Sequence, residues 1–166
     1  MKSRFINFYM DIAQRAANMS YAEKLKVGAI LVKNDNIISW SFNGTPRDWD
    51  NVCEDKVYIT NGEESSLADS YILNNWPFED ENGRYYLKTK SCVTHAEEAM
   101  LMKISSSTES SEGASLFCTH SCCINCAKLI YGAKISEFYY MNEYRSNDGI
   151  EFLKKCGINV IKFNGE

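Results

Sequence analysis

The second half of the chain alternates between apolar segments of strand length and amphipathic segments of helix length. Three segments have strand character: 114–119 (ASLFCT), 135–141 (ISEFYYM) and 158–163 (INVIKF). The segments 95–103, 123–131 and 149–155 have helical character, and Gly132 and Gly157 follow the last two as expected helix ends. Because strands separated by helices usually pair in parallel, we expect a sheet with helices on both faces.

The first half of the chain adds a helix and a hairpin to this pattern. Residues 4–19 predict an amphipathic helix whose apolar side chains share one face: Phe5, Phe8, Ile12, Ala16 and Met19. The runs 27–32 and 37–42 flank a polar turn and predict two antiparallel strands. The sequence therefore predicts one α/β domain over residues 1–166, with a three-layer α-β-α fold and a five-stranded mixed sheet. Residues 55–91 are too apolar for a linker and are interpreted as a partly folded insertion.

Charge and hydropathy exclude several classes of partner. The chain has 18 Lys and Arg against 22 Asp and Glu, a formal charge of −4, which disfavours a broad surface for nucleic acid or anionic membrane. Polar residues interrupt segment 1–12, so it does not resemble a secretory signal, and no apolar run is long enough to span a membrane. We therefore expect a cytoplasmic protein in which the seven cysteines are reduced.

Two short motifs carry the chemistry of the sequence. His95 begins one predicted helix, and Cys123 and Cys126 lie one turn apart at the start of another. A helix N-terminus favours thiolates, and one imidazole with two thiolates is a donor set typical of Zn²⁺. Three protein ligands leave one coordination position open, as in catalytic rather than structural zinc sites. Glu97, two residues after His95, is the candidate for proton transfer.

Other interpretations of the same residues remain open. Cys123 and Cys126 alone would also fit a redox dithiol or a structural zinc site. Cys53 and Cys92 could form a second structural zinc site with a further ligand, although single cysteines are more often small buried side chains. A zinc-stabilised binding protein without catalytic activity is a further alternative, but such a protein has no evident use for Glu97.

The chain resembles the cytidine deaminase superfamily, and within it the small deoxycytidylate (dCMP) deaminases of the phage type. The resemblance lies in the following segments: KVGAI (26–30), NGTP (43–46), HAE (95–97), LFCTHSCCINCAK (116–128), NEYR (142–145) and DG (148–149). The histidine–glutamate and paired-cysteine motifs are those of zinc deaminases. Three positions depart from the usual pattern: Ala99, Met100 and Cys122, the last of which replaces a proline.

The resemblance implies a role for each matched residue. It places zinc on His95, Cys123 and Cys126 and assigns proton transfer to Glu97. It implies that the main chain near Ala96 and Ser121 holds the pyrimidine edge and that Asn43 hydrogen-bonds the sugar or base. It places Tyr144 and Arg145 near the 5′-phosphate, and a guanidinium is independently well suited to a phosphate monoester.

The same resemblance implies the reaction and the partners. It implies hydrolysis of dCMP to dUMP, which supplies thymidylate synthesis, by a homo-oligomer that is commonly a hexamer. It also implies activation by dCTP with Mg²⁺, inhibition by dTTP and, for a viral protein, the host cytoplasm. The alternatives are the same chemistry on cytidine or deoxycytidine, and, disfavoured by the net charge, deamination in tRNA or single-stranded DNA.

Overall fold

The computed structural model describes residues 1–59 and 78–165. Its helices are α1 (Ser3–Ala17), α2 (Ala96–Ser105), α3 (Ile124–Gly132) and α4 (Asp148–Lys155). Its strands are β1 (Gly28–Lys33), β2 (Asn36–Phe42), β3 (Glu54–Tyr58), β4 (Phe78–Asp80), β5 (Gly83–Thr89), β6 (Ser115–His120), β7 (Glu137–Asn142) and β8 (Asn159–Lys162). In these described ranges, no helix is both long and apolar enough to cross a membrane.

The main sheet has five strands in the order β2-β1-β6-β7-β8. Strand β1 is antiparallel to β2 and β6, whereas β6, β7 and β8 are parallel. The predicted five-stranded mixed sheet is therefore confirmed, and the parallel pairs are those joined by α3 and α4. The parallel strands all point toward one edge of the sheet, where β6 and β7 end at His120 and Asn142.

Alternating side chains of the sheet build two separate cores. Leu31, Leu116 and Phe138 face a layer made by α2, α3 and α4. Their neighbours Ile30 and Phe117 face α1, and the Phe117 ring stacks on Tyr139 with ring centroids 4.5 Å apart. Every strand that contributes to both cores is thus buried on both faces, which explains why its sequence is continuously apolar rather than alternating.

Helix α1 forms where the sequence predicts it, and its buried face agrees with the prediction only in part. Of the five residues expected on that face, Phe8 and Met19 are exposed, whereas Ala16 is buried and Phe5 and Ile12 pack partly buried against the core. The buried residues of the helix are Tyr9, Met10, Ala13, Ala16 and Ala17. The physical reason is close approach: the small alanines let the α1 backbone pack directly on β1, and larger aromatic side chains lie at the border of the contact.

Two short turns show how local residues define the elements. The turn between β1 and β2 consists of Asn34 and Asp35, both with positive φ, as a two-residue hairpin requires. Gly157 follows α4 with φ +81° and ends it as predicted. The prediction is wrong for Gly132, which is the last residue of α3, and Lys134 occupies the left-handed conformation instead, with φ +55°.

The insertion around residues 55–91 contains a second sheet, which the sequence did not predict. Strands β3, β5 and β4 form an antiparallel sheet in that order. Lys56 pairs with Asp80 across it at 2.7 Å. The turn signal Asn61-Gly62 in this insertion, and the residues that make it too apolar for a linker, Tyr71, Ile72, Leu73 and Trp76, lie outside the described residues.

Gly28 is a position where an added methyl group should destabilise the fold strongly. A Cβ at Gly28 would overlap the carbonyl oxygen of Ala13 and the backbone nitrogen of Ala17, neither of which can move without shifting α1. We expect Gly28→Ala to lower the free energy of unfolding by about 3 kcal/mol, which corresponds to roughly 10 °C in Tm for a chain of this length. Calorimetry measures this change.

Gly132→Ala is the matched control for Gly28→Ala. No atom lies within 4 Å of a Cβ built at Gly132, and its φ is not positive, so the methyl group meets open space. The control variant is expected to keep or slightly raise Tm, because alanine restricts the unfolded chain more than glycine. An unchanged Tm in Gly28→Ala would contradict the close packing of α1 on β1.

Candidate metal centre and active site

His95 lies directly before the first residue of α2. Its extended backbone, with φ −71° and ψ 156°, ends the preceding segment, and its N–H donates to the Glu98 carboxylate at 3.3 Å. An isolated bridge between Gly44 and Thr94 ties this segment to the end of β2. The position of His95 is thus fixed both by a helix start and by the segment that follows β2.

Cys123 and Cys126 lie on the first turn of α3. Cys123 directly precedes α3, and Cys126 is its third residue, so the two sulfur atoms face the same side. His95 Nδ1 lies 3.5 Å from Cys123 Sγ and 3.4 Å from Cys126 Sγ. The predicted ligands therefore converge, with all three donor atoms within 4.8 Å of one another.

The spacing of these atoms matches a tetrahedral zinc site. Zinc–sulfur and zinc–nitrogen bonds of about 2.3 and 2.0 Å at a tetrahedral angle place nitrogen and sulfur about 3.5 Å apart. The observed separations of 3.4 and 3.5 Å agree with that value. His95 is exposed, Cys123 half-buried and Cys126 buried, so the cluster has one side open to solvent.

The pKa values of the two thiols shift in opposite directions. A hydrogen bond with Cys126 and a second with His95 lower the pKa of Cys123 to about 3, which favours its thiolate form. The same bond with Cys123, together with burial, raises the pKa of Cys126. Of the two sulfur atoms, Cys123 therefore loses its proton more readily, and a bound dication would favour deprotonation of both.

Glu97 is a buried carboxyl group beside the cluster. Its side chain is on the first turn of α2, and the residue is only 4% exposed. Burial raises the pKa of Glu97 to about 7, against the opposing effects of its own backbone N–H and of His95. A carboxyl group with a pKa near neutrality can both accept and donate protons, as general acid–base catalysis requires.

The remaining cysteines do not extend this cluster. Cys122 is fully buried in the core between the sheet and α2–α4, and burial raises the pKa of its thiol. Cys53 packs with Ala22 and Val93. Across residues 1–59 and 78–165, His95, Cys123 and Cys126 form the only group of three potential metal ligands, so a third ligand for Cys53 and Cys92 is not found there.

Asn43 uses both polar groups of its side chain within the protein. Its amide oxygen accepts from the backbone N–H of Val27 at 2.8 Å, and its amide nitrogen donates to the carbonyl of Leu25, also at 2.8 Å. Its backbone carbonyl accepts from the Ser20 hydroxyl at 2.7 Å. Asn43 therefore holds the segment before β1, and its expected contact with a sugar or base stays a prediction.

Ser121, Tyr144 and Arg145 lie together at the carboxyl edge of the sheet. The Tyr144 N–H donates to the Ser121 hydroxyl at 2.7 Å, and the Arg145 guanidinium lies over the Tyr144 ring, 5.2 Å from its centroid. Ser121 and Ala96 are both buried, and each lies within two residues of a proposed metal ligand in the sequence. Arg145, in contrast, is exposed. The structure thus brings the residues expected near a phosphate to the same edge as Cys123.

Two residues near this edge were missed by the sequence analysis. Burial lowers the pKa of Lys24, and the positive charge of Arg145 lowers it further, whereas the negative charge of Glu54 raises it. Glu54, a carboxylate only 8% exposed, accepts from the backbone N–H groups of Glu23 and Lys24 at 3.2 and 3.3 Å. No sequence signal indicates this contact, because β3 follows Lys24 only after the whole β1–β2 hairpin.

Fold and site together define a class: an α/β protein whose candidate zinc ligands come from two helix starts beside a buried glutamate. Comparison with known proteins identifies the family within this class. The family model described as "Cytidine and deoxycytidylate deaminase zinc-binding region" matches residues 3–142. The chain belongs to this family of cytidine and deoxycytidylate deaminases.

Individual relatives extend the match over almost the whole chain. The dCMP deaminase of cyanophage S-TIM5, solved in complex with dCMP and dUMP, is 36% identical, and the alignment covers 98% of this chain and 99% of that one with a TM-score of 0.77. Deoxycytidylate deaminases of Saccharomyces cerevisiae and Enterobacteria phage T4 are 28% and 26% identical over 99% and 92% of this chain. The chain spans 46% of the length of the yeast relative and 86% of that of the phage relative.

Proposed function

We propose that this chain catalyses the hydrolytic deamination of dCMP, in which dCMP and water give dUMP and ammonia. The observation that carries the proposal is the convergence of His95, Cys123 and Cys126 beside the buried Glu97. The similarity to a deaminase crystallised with dCMP and dUMP supports the choice of substrate. A metal site built only for stability would not need a buried, ionisable side chain at its edge.

In this proposal, His95 Nδ1 and the two thiolates of Cys123 and Cys126 hold the zinc ion. When bound, zinc lowers the pKa of water and so supplies a nucleophile at neutral pH. The open side of the cluster, next to the exposed His95, gives the cytosine ring access. The two helix N-termini contribute partial positive charge that stabilises the thiolates.

Glu97 is proposed to move the protons of the reaction. It accepts one proton from the attacking water and donates it to N3 of the cytosine ring. It then takes the second water proton from the hydroxyl added at C4 and passes it to the C4 amine, which leaves as ammonia. A side chain that gives and takes protons within one turnover needs comparable populations of both forms. Its burial beside the cluster provides this, because burial raises the carboxyl pKa toward neutrality.

The remaining contacts orient the nucleotide. We assign the pyrimidine edge to the main chain near Ala96 and Ser121 and the sugar or base to Asn43. Tyr144 and Arg145 are assigned to the 5′-phosphate, and Lys24 joins them as a second cation. Positive side chains assigned to this edge of a chain of net charge −4 favour a nucleotide over cytidine or deoxycytidine, neither of which carries a phosphate.

Arg145→Ala is expected to weaken the binding of dCMP much more than the binding of deoxycytidine. Loss of a guanidinium–phosphate interaction should raise KM for dCMP on the order of 10- to 100-fold, the range for hydrogen bonds to charged groups. Deoxycytidine has no phosphate, so its kcat/KM should stay within about threefold by the same reasoning. Steady-state ammonia release with both substrates measures the difference.

Arg15→Ala serves as the control for Arg145→Ala. Arg15 is exposed on α1, on the opposite face of the sheet, and its loss changes the net charge equally. The control should leave the KM for dCMP and the kcat/KM for deoxycytidine unchanged. Equal losses for dCMP and deoxycytidine in Arg145→Ala would remove Arg145 from the phosphate site.

We also propose the regulation and assembly that the resemblance implies. These are a single catalytic unit over residues 1–166, a homohexamer, activation by dCTP with Mg²⁺, inhibition by dTTP, and a place in the cytoplasm, which is the host's if the source is a phage. The similarity to deaminases of phages T4 and S-TIM5 supports the phage-type source in this proposal. Light scattering measures the mass, and dCMP assays with each nucleotide added measure the response; a monomer insensitive to both nucleotides would contradict it.

A further inference from the structure

We propose that the Ser121 hydroxyl is a positioning group, which holds Tyr144 and Arg145 where the guanidinium meets the 5′-phosphate. The proposal concerns the side chain of Ser121, whereas the resemblance assigns only its main chain. It rests on the proposed function, since it presumes that the substrate carries a phosphate.

The first observation is a set of hydrogen bonds that joins the ends of β6 and β7. The Ser121 N–H donates to the Asn142 carbonyl at 2.8 Å, and the Asn142 amide donates to the Thr119 carbonyl at 3.0 Å. The Tyr144 N–H then donates to the Ser121 hydroxyl at 2.7 Å. The last of these bonds extends the connection by two residues beyond the end of β7, to the residue before Arg145.

The second observation is that Ser121 itself cannot move freely. Ser121 is 4% exposed, and it precedes Cys122, which is fully buried, and the proposed ligand Cys123. Helix α4 also packs on this segment, because Gly149 lies so close to the Cys122 carbonyl that a Cβ there would overlap it. A hydroxyl on such a segment is a fixed point from which the Tyr144 backbone can be held.

The third observation is that Tyr144 contacts the Arg145 side chain directly. Arg145 is exposed, and its guanidinium carbon lies over the Tyr144 ring, 5.2 Å from the ring centroid. Tyr144 is therefore the link between Arg145 and the sheet. A long side chain loses rotamer and backbone freedom when it binds a ligand, and an anchored backbone reduces that cost.

The test compares Ser121→Ala with Ser115→Ala. Ser115 lies on the same strand at its opposite end, is also buried, and donates to Glu137 at 2.6 Å, far from the metal cluster. Loss of the Ser121 hydroxyl should raise KM for dCMP and the Kd of dUMP roughly 3- to 10-fold, the value of one hydrogen bond. The kcat for dCMP, the zinc content and the Kd of deoxyuridine should change less than twofold on the same grounds, and Ser115→Ala should change none of them.

Two further measurements separate positioning from general damage. Hydrogen exchange at the Tyr144 amide should speed up in Ser121→Ala, because that N–H loses its acceptor, while the Asn142 carbonyl keeps its bond from the Ser121 N–H. Ser121→Thr, which keeps the hydroxyl, should restore slow exchange and the KM for dCMP. A general loss of stability would not change the exchange of the Tyr144 amide and the KM for dCMP together and selectively.

The possible outcomes distinguish this inference from the proposed function. If the wild-type protein prefers dUMP to deoxyuridine and Ser121→Ala keeps that preference, Ser121 has no positioning role, although the proposed function stands. The same conclusion follows if kcat falls as much as KM rises. If the wild-type protein binds dUMP and deoxyuridine equally, the proposed function fails, and the inference fails with it.

Discussion

Replacing Glu97 by glutamine is expected to abolish dCMP deamination while leaving the fold and the metal site in place. Glutamine has nearly the same shape as Glu97 but cannot take up and release a proton, and no proposed metal ligand is removed. Because general acid–base catalysis contributes about 10²- to 10⁴-fold, kcat should fall by that factor. The zinc content should stay at that of the wild-type protein, and Tm should not fall, since a neutral amide is less costly to bury than a carboxylate.

Glu98→Gln is the matched control for Glu97→Gln. Glu98 is the next residue of α2, and its side chain accepts from the His95 N–H at 3.3 Å. Glutamine keeps an oxygen that can accept this bond, so the control loses the same charge without losing the contact. Its kcat should remain within about threefold of the wild-type value, as the loss of a surface charge predicts. Comparable kcat values in the two variants would show that Glu97 is not the proton-transfer group.

Replacing Cys126 by alanine is expected to remove both the metal and the activity. Cys126 is buried, and its Sγ lies 3.4 Å from His95 Nδ1, so alanine deletes one of the three donor atoms. Zinc measured by atomic absorption should fall from near one per chain to background, and dCMP turnover should fall below detection. At a free zinc concentration of about 1,000 times Kd, bound zinc stabilises the folded state by about 4 kcal/mol. Its loss should therefore lower Tm by roughly 10 °C.

Cys122→Ala provides the contrast within the same motif. Cys122 occupies the position where the family usually has proline, and its side chain is buried in the core rather than in the ligand cluster. The variant should keep full zinc content and lose about 1 kcal/mol of stability through the small cavity that it creates. Loss of zinc in Cys122→Ala, or its retention in Cys126→Ala, would contradict the proposed ligand set.

The sheet and the helices of the second half could be predicted because each element is encoded locally. Residues 114–119, 135–141 and 158–163 are apolar runs bounded by turn residues, and all three form strands within two residues of the expected bounds. The sheet order also follows from general rules, since strands joined by single helices usually lie side by side. The convergence of His95 with Cys123 and Cys126 was foreseen because metal ligands are recognisable by residue type and spacing.

Features that depend on tertiary contacts were not predictable in the same way. The pattern of α1 suggested a face with Phe8 and Met19, but the helix packs through alanines because Gly28 permits direct contact of backbones. Strands β3, β4 and β5 are rich in polar residues, and pairing with one another rather than burial in the main core defines them. Gly132 is a typical helix end, yet the left-handed conformation falls two residues later, at Lys134.

At the candidate phosphate site, too, only part of the residue set could be predicted from the sequence. Arg145 could be singled out because phosphate needs a cation and the matched motif contains one. Lys24 could not, because the segment before β1 that carries it is held by tertiary contacts with Asn43 and Glu54. A role for the Ser121 side chain was likewise invisible, since the Tyr144 N–H reaches it only when β6 and β7 pair.

The most direct test of the account is ammonia release from dCMP, compared with CMP, deoxycytidine and dCTP, on protein with a measured zinc content. We expect about one zinc per chain, as for a single His–Cys–Cys site, and a clear preference for dCMP. Removal of the metal by a chelator should abolish turnover, and added zinc should restore it. One zinc per chain with no ammonia from any of these compounds, or equal turnover of dCMP and deoxycytidine, would contradict the assignment.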